Sequence, residues 1–211
     1  MASRPAIVVF DLGGVIVEIL RSPQEALAAA GMSDAGSVVI TDRESYDTLN
    51  AAYQSGHLSL DEFLSRTSGL MEPSVEPAFL VNAHDQILVR EYPGAVEVID
   101  SLHAMDIATC VLSNTCARHW TRLELFPAVK KATRNGCFLS FELGCVKPQT
   151  SIFQALENEL GLTGQDICFL DDSAENVAAS LSFGWQAVQV SHARKDSAAL
   201  KEDLQGFGFT L

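Results

Sequence analysis

A run of apolar, mostly β-branched residues near the N-terminus constrains the fold of this chain more than any other stretch. The run Ile7–Phe10 stops abruptly at Asp11, and Gly13 and Gly14 follow. Such uninterrupted runs are typical of strands that are buried on both faces of a parallel sheet. Asp11 then lies at the carboxyl end of the strand, where open α/β sheets bind ligands, and glycines there permit a sharp turn. Taken alone, the stretch is equally typical of a carboxylate that caps a turn.

Strand and helix patterns alternate in the second half of the chain. Four further strands are predicted: buried ones over residues 107–112 and 166–170, a short one over residues 137–140 and a last one over residues 186–190. Strands that alternate with helices imply right-handed crossovers, so we expect an α/β fold with a doubly wound parallel sheet. Pro148 is expected at the first position of the helix that follows it, because proline is favoured there.

The stretch between the first strand and residue 90 has a helical pattern throughout. Four helices are predicted without an intervening strand, and the last of them extends from Pro77 to Val89. Ser59 and Glu62 have the spacing of a capping box at the start of the third. We therefore expect a four-helix insert over residues 20–90 in a core made of residues 1–19 and 91–211.

Composition excludes several classes of partner. The chain has 211 residues, 47% of them hydrophobic, which is enough for a substantial core. Its net charge of −13 argues against nucleic acid and anionic membranes as partners. Neither a signal peptide nor a membrane span is evident, and the five cysteines have no metal-binding spacing. We expect a cytoplasmic protein, as a monomer or a homodimer.

Polar side chains follow the predicted strands where each one ends, and a parallel sheet brings such ends to one edge. Carboxylate oxygens suit Mg²⁺, and a lysine suits a phosphate oxygen. Phosphoryl transfer needs little more than positioning and charge neutralisation, and an aspartate can carry the covalent phosphoryl group. The side chains concerned are Asp11, Ser113, Asn114, Lys147, Asp171 and Asp172.

Each of these residues also has an ordinary structural interpretation. Ser113 and Asn114 are good helix N-caps, and an isolated lysine such as Lys147 is usually a surface residue. Asp171 and Asp172 suit the start of a helix, where the dipole favours negative charge. These interpretations do not explain why the residues follow successive strands in this order.

Four ordered motifs, which together span nearly the whole chain, carry a resemblance to a known family. They cover residues 11–15, 112–115, 140–148 and 169–176. With this order and spacing the sequence resembles the haloacid dehalogenase-like hydrolase superfamily. It is most similar to the branch with glucose-1-phosphate-type phosphatases and the N-terminal phosphatase domain of soluble epoxide hydrolase. The resemblance implies a Rossmann-like core and makes residues 20–90 a cap domain that covers the site and selects the substrate.

The resemblance also implies a role for each position in the motifs. Asp11 would attack phosphorus, while Ser113 and Lys147 would hold the phosphoryl group of a small phosphorylated substrate. Asn114 would support Ser113 in binding that substrate. The implied activity is a Mg²⁺-dependent phosphomonoesterase with an aspartyl-phosphate intermediate, a sugar phosphate being one candidate substrate. The implied metal ligands are Asp11, Asp171, Asp172 and the backbone carbonyl of Gly13.

One position departs from the family pattern. Many phosphatases of the superfamily have a second aspartate two residues after the nucleophile, where this chain has Gly13. General acid–base catalysis typically raises the rate ~10²–10⁴-fold, so the absence of this aspartate should slow the reaction unless another group replaces it. The candidates to replace it are water and Glu18. Two alternatives to a phosphatase stay open. One is a 2-haloacid dehalogenase, in which the carboxylate of Asp11 attacks carbon; the other is a non-catalytic phosphate- or partner-binding protein, because Gly13 replaces the acid.

His119 is more typical of a packed or surface histidine than of a substrate ligand.

Overall fold

The computed structural model describes residues 4–191 and 196–210. In chain order, its strands are β1 (Ile7–Phe10), β2 (Val17–Ile19), β3 (Val39–Ile40), β4 (Met71–Glu72), β5 (Leu88–Glu91), β6 (Ala108–Ser113), β7 (Cys137–Leu139), β8 (Ile167–Asp171) and β9 (Gln186–Gln189). Its α-helices are α1 (Pro23–Ala29), α2 (Arg43–Gln54), α3 (Leu60–Gly69), α4 (Pro77–Gln86), α5 (Ala95–Ala104), α6 (Ala117–Leu123), α7 (Pro127–Ala132), α8 (Ser140–Leu143), α9 (Thr150–Leu160), α10 (Ala174–Phe183) and α11 (Ala198–Gly206).

The main sheet has the strand order β7-β6-β1-β8-β9, and every neighbouring pair in it is parallel. The first strand is central, because Phe10 pairs with Val111 on one side and with Leu170 on the other. The carboxyl ends of β6, β1 and β8 therefore lie side by side. The predicted α/β fold with a doubly wound parallel sheet is confirmed.

Both faces of the sheet are covered by helices, which explains why its central strand β1 is apolar throughout. Val8 and Phe10 point into a core that α5, α7 and α11 complete. Ile7 and Val9 point the other way, into a core that contains side chains of α9 and the buried Trp185. Successive side chains of a strand alternate between faces, so a strand covered twice has to be apolar at every position.

The insert contains the four predicted helices, α1 to α4, but it also contains strands. These helices pack around their own apolar cluster, which includes Leu27, Phe63 and Leu80. The prediction of no strand in this region is wrong, because β3 pairs with β4, and β5 pairs with β2, both antiparallel. Leu88 and Val89, predicted to be helical, lie in β5 instead. Their pairing with β2 is a tertiary contact that overrides a weak local preference.

The start of α9 also differs from the prediction. The helix begins at Thr150 with Gln149 as its N-cap, so Pro148 lies before the helix and not at its first position. The sequence patterns also missed three helices, α7, α8 and α11, and Ser140, predicted to end a strand, begins α8 instead. Within the residues that the structure describes, no helix combines the length and apolar character needed to cross a membrane.

Candidate active site

Asp11 lies at the point where β1 leaves the sheet. Its backbone N–H donates to the carbonyl of Leu170 at 2.9 Å, so the residue is still attached to the neighbouring strand. The turn that follows requires glycine at Gly14, whose φ is +82°. A Cβ at this position would collide with the carboxylate of Asp172 and the guanidinium of Arg21. The second glycine of the motif therefore makes room for two charged groups of the site.

Lys147 connects the ends of three strands. Its side chain is only 1% exposed, and Nζ donates to Asp11 Oδ1 at 2.8 Å and to Asp171 Oδ2 at 2.7 Å. A third bond runs from Nζ to the carbonyl oxygen of Leu112 at 2.9 Å. An ammonium group has three donors, so this set satisfies it fully. The interpretation of Lys147 as a surface lysine is wrong.

Asn114 fixes the backbone of Lys147. Its Oδ1 accepts from the Lys147 N–H at 2.8 Å, and its Nδ2 donates to the Lys147 carbonyl at 2.9 Å. Asn114 is therefore not a helix cap, and Cys116 occupies the N-cap position of α6. Ser113 is the buried last residue of β6 and reaches the same edge of the sheet. Among the described residues, its hydroxyl does not join the Lys147 network.

The two acids at the carboxyl end of β8 have different surroundings. Asp171 is fully buried, and besides Lys147 it accepts from the N–H of Ser173 at 2.8 Å and from Asn176 Nδ2 at 3.0 Å. Asp172 is more open and pairs with Arg21 at 2.6 Å. Sequence reasoning assigned no role to Asn176, although its place one turn inside α10 puts it above the strand end. Asp171 thus orients Lys147, while Asp172 faces the rim of the site.

Burial and charge act against each other at this edge. Burial raises the pKa of Asp11 to about 7; the charge of Lys147 opposes that rise, and the neighbouring carboxylates of Asp171 and Asp172 add to it. For Lys147, burial disfavours the charge, but Asp11 and Asp171 outweigh it and raise the pKa of the ammonium. The lysine therefore stays protonated, and negative charge in the cluster exceeds what it neutralises.

The carboxylates of Asp11, Asp171 and Asp172 fit a hard divalent cation. Oxygens from the three residues lie within 4.8 Å of one another. Mg²⁺ binds such oxygens, through one or two carboxylates with water and phosphate as the other ligands. Asp171 is fully buried, and both of its oxygens accept hydrogen bonds from Lys147, Ser173 or Asn176. The ion pairs of the site engage Oδ1 of Asp11 and Oδ2 of Asp172, so these two less enclosed carboxylates are the better placed pair.

The other candidates lie apart from this cluster. Glu18 lies in β2, and its carboxylate accepts from Arg90 Nε of the adjacent β5 at 2.8 Å. His119 packs against His84 with ring centroids 4.0 Å apart, which agrees with its interpretation as a packed histidine.

Comparison with known families decides the class of this protein. The family model described as haloacid dehalogenase-like hydrolase matches residues 5–184. The chain belongs to this family. The haloacid dehalogenase-like fold and hydrolase class expected from the motifs are thereby confirmed.

Relatives within the haloacid dehalogenase-like family include phosphatases and dehalogenases. The chain is 26% identical over 194 residues to D-ribitol-5-phosphate phosphatase of Bacteroides thetaiotaomicron, covering 86% of this chain and 90% of that protein. It is 25% identical over 199 residues to (S)-2-haloacid dehalogenase 4A of Burkholderia cepacia, covering 87% and 81%. An enzyme of the haloacid dehalogenase (HAD) family from Bacteroides thetaiotaomicron, solved in complex with magnesium and inorganic phosphate, has a similar fold. The two structures align with a TM-score of 0.71 at 21% sequence identity, over 93% of this chain and 98% of the other.

Proposed function

We propose that this hydrolase is a Mg²⁺-dependent phosphatase of small phosphomonoesters that forms an aspartyl-phosphate on Asp11. The observation that carries the proposal is the position of the Lys147 ammonium, within 2.8 Å of Asp11 and 2.7 Å of Asp171. A buried cation beside a carboxylate nucleophile provides what a phosphoryl group needs: a fixed positive charge for its oxygens at the atom that attacks it.

The side chains of the protein bind the phosphoryl group and provide the nucleophile. Lys147 and Ser113 hold the phosphoryl oxygens, and Lys147 fixes Asp11 Oδ1 at the site of attack. A carboxylate oxygen of Asp11 forms a bond to phosphorus while the bond between phosphorus and the leaving-group oxygen breaks. The leaving-group oxygen takes a proton from water. A second water then attacks phosphorus, which releases inorganic phosphate and restores the Asp11 carboxylate. Because Gly13 has no acidic side chain, both proton transfers depend on solvent.

Mg²⁺ would be held by Asp11 and Asp172, with the carbonyl of Gly13 beside them and Asp171 behind. When bound, it neutralises carboxylate charge and polarises the phosphoryl group. Support comes from the donor set itself, since these three carboxylates carry more negative charge than Lys147 and Arg21 together offset. The Gly13 carbonyl is included because it belongs to the same turn.

The insert over residues 20–90 is assigned as the cap of this site. Two contacts support the assignment. Ser140 Oγ of the core donates to the Gln54 carbonyl of the insert at 2.6 Å. Arg118 of the core holds Asp85 of the insert through two bonds of 2.6 Å. A cap held in this way excludes bulk water from the phosphoryl group and presents its own side chains to the substrate.

The dehalogenase alternative has support from the Burkholderia relative, and one feature of the site argues against it. Attack on carbon needs no metal, yet three carboxylates converge here. Acids beside a carboxylate nucleophile raise its pKa. For Asp11, burial raises the pKa most and the neighbouring Asp171 and Asp172 add to the rise, which reduces the fraction that is ionised. A cation that neutralises the acids removes this penalty, which favours phosphoryl transfer.

The test measures phosphate and chloride release in parallel. Substrates are D-ribitol-5-phosphate, several sugar phosphates and 2-chloropropionate, each with Mg²⁺ or with EDTA. We expect phosphate release that requires Mg²⁺, and its loss by at least about a thousandfold in Asp11→Asn. Asp34→Asn, which changes an exposed aspartate, is the matched control and should keep full activity.

Other outcomes would identify the alternatives. Chloride release that persists in EDTA would assign the chain to the dehalogenases. No release from any substrate, together with retained binding of fluoroberyllate, would indicate a non-catalytic phosphate-binding protein. Substantial phosphate release by Asp11→Asn would refute the covalent mechanism while leaving a phosphatase.

A further inference from the structure

Arg21 is a second cation of the active site, and the phosphatase reaction described above gives it no role. Its Nη1 lies 2.6 Å from Oδ2 of Asp172, and its Nη2 lies beside the space that Gly14 leaves open. Among the described residues, Arg21 and Lys147 are the basic side chains that pair with the acidic cluster. The guanidinium therefore lies at the same edge of the sheet as the proposed nucleophile.

The backbone of Arg21 is held in place, whereas its side chain is free to reorient. The residue lies between β2 and α1, in the segment that leads from the core into the insert. Its backbone N–H donates to Oε2 of Glu25 at 2.6 Å, which ties it to the first turn of α1. The side chain is 38% exposed, so the guanidinium can leave one anion for another without opening the core.

Lys147 offers its charge to a phosphoryl group but few hydrogen bonds. Its ammonium already donates to Asp11, to Asp171 and to the carbonyl of Leu112, which engages all three of its donors. A hydrogen bond from Lys147 to a phosphoryl oxygen has to replace one of these. A phosphoryl group with two negative charges therefore needs a further donor at this edge.

The charges of the cluster indicate when Arg21 becomes available. The ionised carboxylates of Asp11, Asp171 and Asp172 carry three negative charges, and Lys147 and Arg21 together neutralise two of them. A divalent cation and Lys147 would neutralise all three. The positive charge of Arg21 is then no longer required by the carboxylates, and a phosphoryl group becomes its natural partner.

We propose that Arg21 is a further substrate-binding residue, which pairs with Asp172 while no metal is bound and turns to the phosphoryl oxygens of the substrate when Mg²⁺ takes Asp172. This inference rests on the proposed phosphatase function, because it assigns a role in that same site. The planar guanidinium presents its donors as a fork that matches two phosphate oxygens, which an ammonium cannot do. Arg21 and Mg²⁺ thus compete for Asp172, whereas Arg21 and Mg²⁺ both attract the phosphoryl group.

The experiment measures Mg²⁺ and inorganic phosphate binding to the full chain by isothermal titration calorimetry. Arg21→Met keeps an unbranched side chain and removes the charge. Without phosphate, we expect this variant to bind Mg²⁺ at least about fivefold more tightly, since no guanidinium competes for Asp172. In saturating Mg²⁺, its affinity for inorganic phosphate should fall at least about tenfold, because charge-assisted hydrogen bonds are lost. Arg21→Lys, which keeps the charge without the fork, should have an intermediate phosphate affinity.

The matched control is Arg66→Met. Arg66 pairs with Glu62 at the same distance of 2.6 Å on α3, and its substitution changes the net charge of the chain by the same amount. Both affinities should be unchanged in this variant. Circular dichroism establishes that each variant folds, and Arg21→Gln replaces Arg21→Met if the latter does not. Damage to the fold would weaken both ligands, whereas the proposed role shifts the two affinities in opposite directions.

A Mg²⁺ affinity that stays the same or falls in Arg21→Met, or a phosphate affinity equal to that of the wild type, would overturn the proposal. The outcomes also separate this role from the phosphatase function. A wild type that hydrolyses phosphomonoesters, with phosphate binding unaffected by Arg21→Met, would refute the role of Arg21 and leave the phosphatase. A wild type without hydrolysis, whose phosphate binding is lost in Arg21→Met, would refute the phosphatase and leave Arg21 as an anion-binding residue.

Discussion

At the scale of single residues, Lys147 is the residue that positions the carboxylates of the site. Its ammonium is buried and is held by two carboxylates and one carbonyl. Desolvation of buried charges offsets most of their attraction, so such a network adds little net stability. Its main effect is positional, because the carboxylates of two different strands meet at one nitrogen.

Lys147→Met is expected to destabilise the fold strongly. The substitution keeps an unbranched side chain but leaves two buried carboxylates without their cation, which typically costs about 3–5 kcal/mol. Urea unfolding measures the difference. Lys131→Met is the control: Lys131 pairs with Asp100 on the surface at 2.6 Å, where loss of an ion pair costs about 0–1 kcal/mol. Equal effects of the two substitutions would contradict the structural account of Lys147.

Gly13→Asp is expected to accelerate phosphate release from substrates with poor leaving groups. The backbone at Gly13 is compatible with other residues, but a Cβ would lie 2.9 Å from Cδ1 of Ile19. The variant is therefore made together with Ile19→Val, which removes that methyl group. Within the ~10²–10⁴ typical of general acid catalysis, we expect kcat to rise at least tenfold for alkyl phosphates.

The control for the gain is Ile19→Val alone, which should leave kcat unchanged. Aryl phosphates, whose leaving groups need no protonation, should show a much smaller gain than alkyl phosphates. A uniform change across both classes would mean that proton transfer does not limit the rate.

At the scale of elements, the N-termini of α1 and α3 show that the same capping-box spacing in the sequence does not always give the same hydrogen bonds. The capping box expected at Ser59 is formed in part: Ser59 Oγ accepts from the Glu62 N–H at 3.2 Å, whereas the Glu62 carboxylate holds Arg66 at 2.6 Å. The complete box lies at α1, where Ser22 and Glu25 cap each other. The sequence has the same spacing at both places. A competing arginine one turn later decides the difference.

Ser22→Ala is expected to lower the free energy of unfolding by about 1 kcal/mol, within the 0.5–2 kcal/mol that N-caps contribute. The reason is the loss of the bond from the Glu25 N–H to Ser22 Oγ at 3.2 Å. Ser65→Ala, in the exposed interior of α3, is the matched control and should have no destabilising effect. Thermal or urea unfolding of both variants checks this. A larger loss at Ser65 would contradict it.

At the scale of the whole molecule, the acidic cluster links metal binding to folding. Asp11 and Asp172 are far apart in the sequence, and only the folded sheet brings them together. Mg²⁺ is therefore expected to bind the folded state alone and to stabilise it by RT ln(1 + [Mg²⁺]/Kd), about 2.7 kcal/mol at a hundredfold excess over Kd. Thermal unfolding across a Mg²⁺ series measures the effect.

Asp172→Asn should remove most of this stabilisation, whereas Asp166→Asn, on the exposed turn before β8, should preserve it. The same Tm increase in all three proteins would show that Mg²⁺ acts elsewhere on this chain of net charge −13.

The features that sequence patterns predicted correctly are local in origin. Apolar runs, the polar residues that end them and helical spacing all act over a few residues, so they were enough to predict the parallel sheet, the helices of the insert and the edge with Asp11. Family motifs added the class. Apolar residues repeat with the period of a strand or a helix, and the polar site residues directly follow the apolar runs, so both can be recognised within a short window of sequence.

Only the tertiary structure decided which of these groups meet. Lys147 and Asp11 are 136 positions apart, and no periodicity predicts that their side chains bond at 2.8 Å. The same holds for Arg21 on Asp172, for the strand at Leu88, and for the contact of His84 with His119. Such contacts depend on how layers pack, because burial and pairing across elements outweigh the small local preferences that a sequence displays.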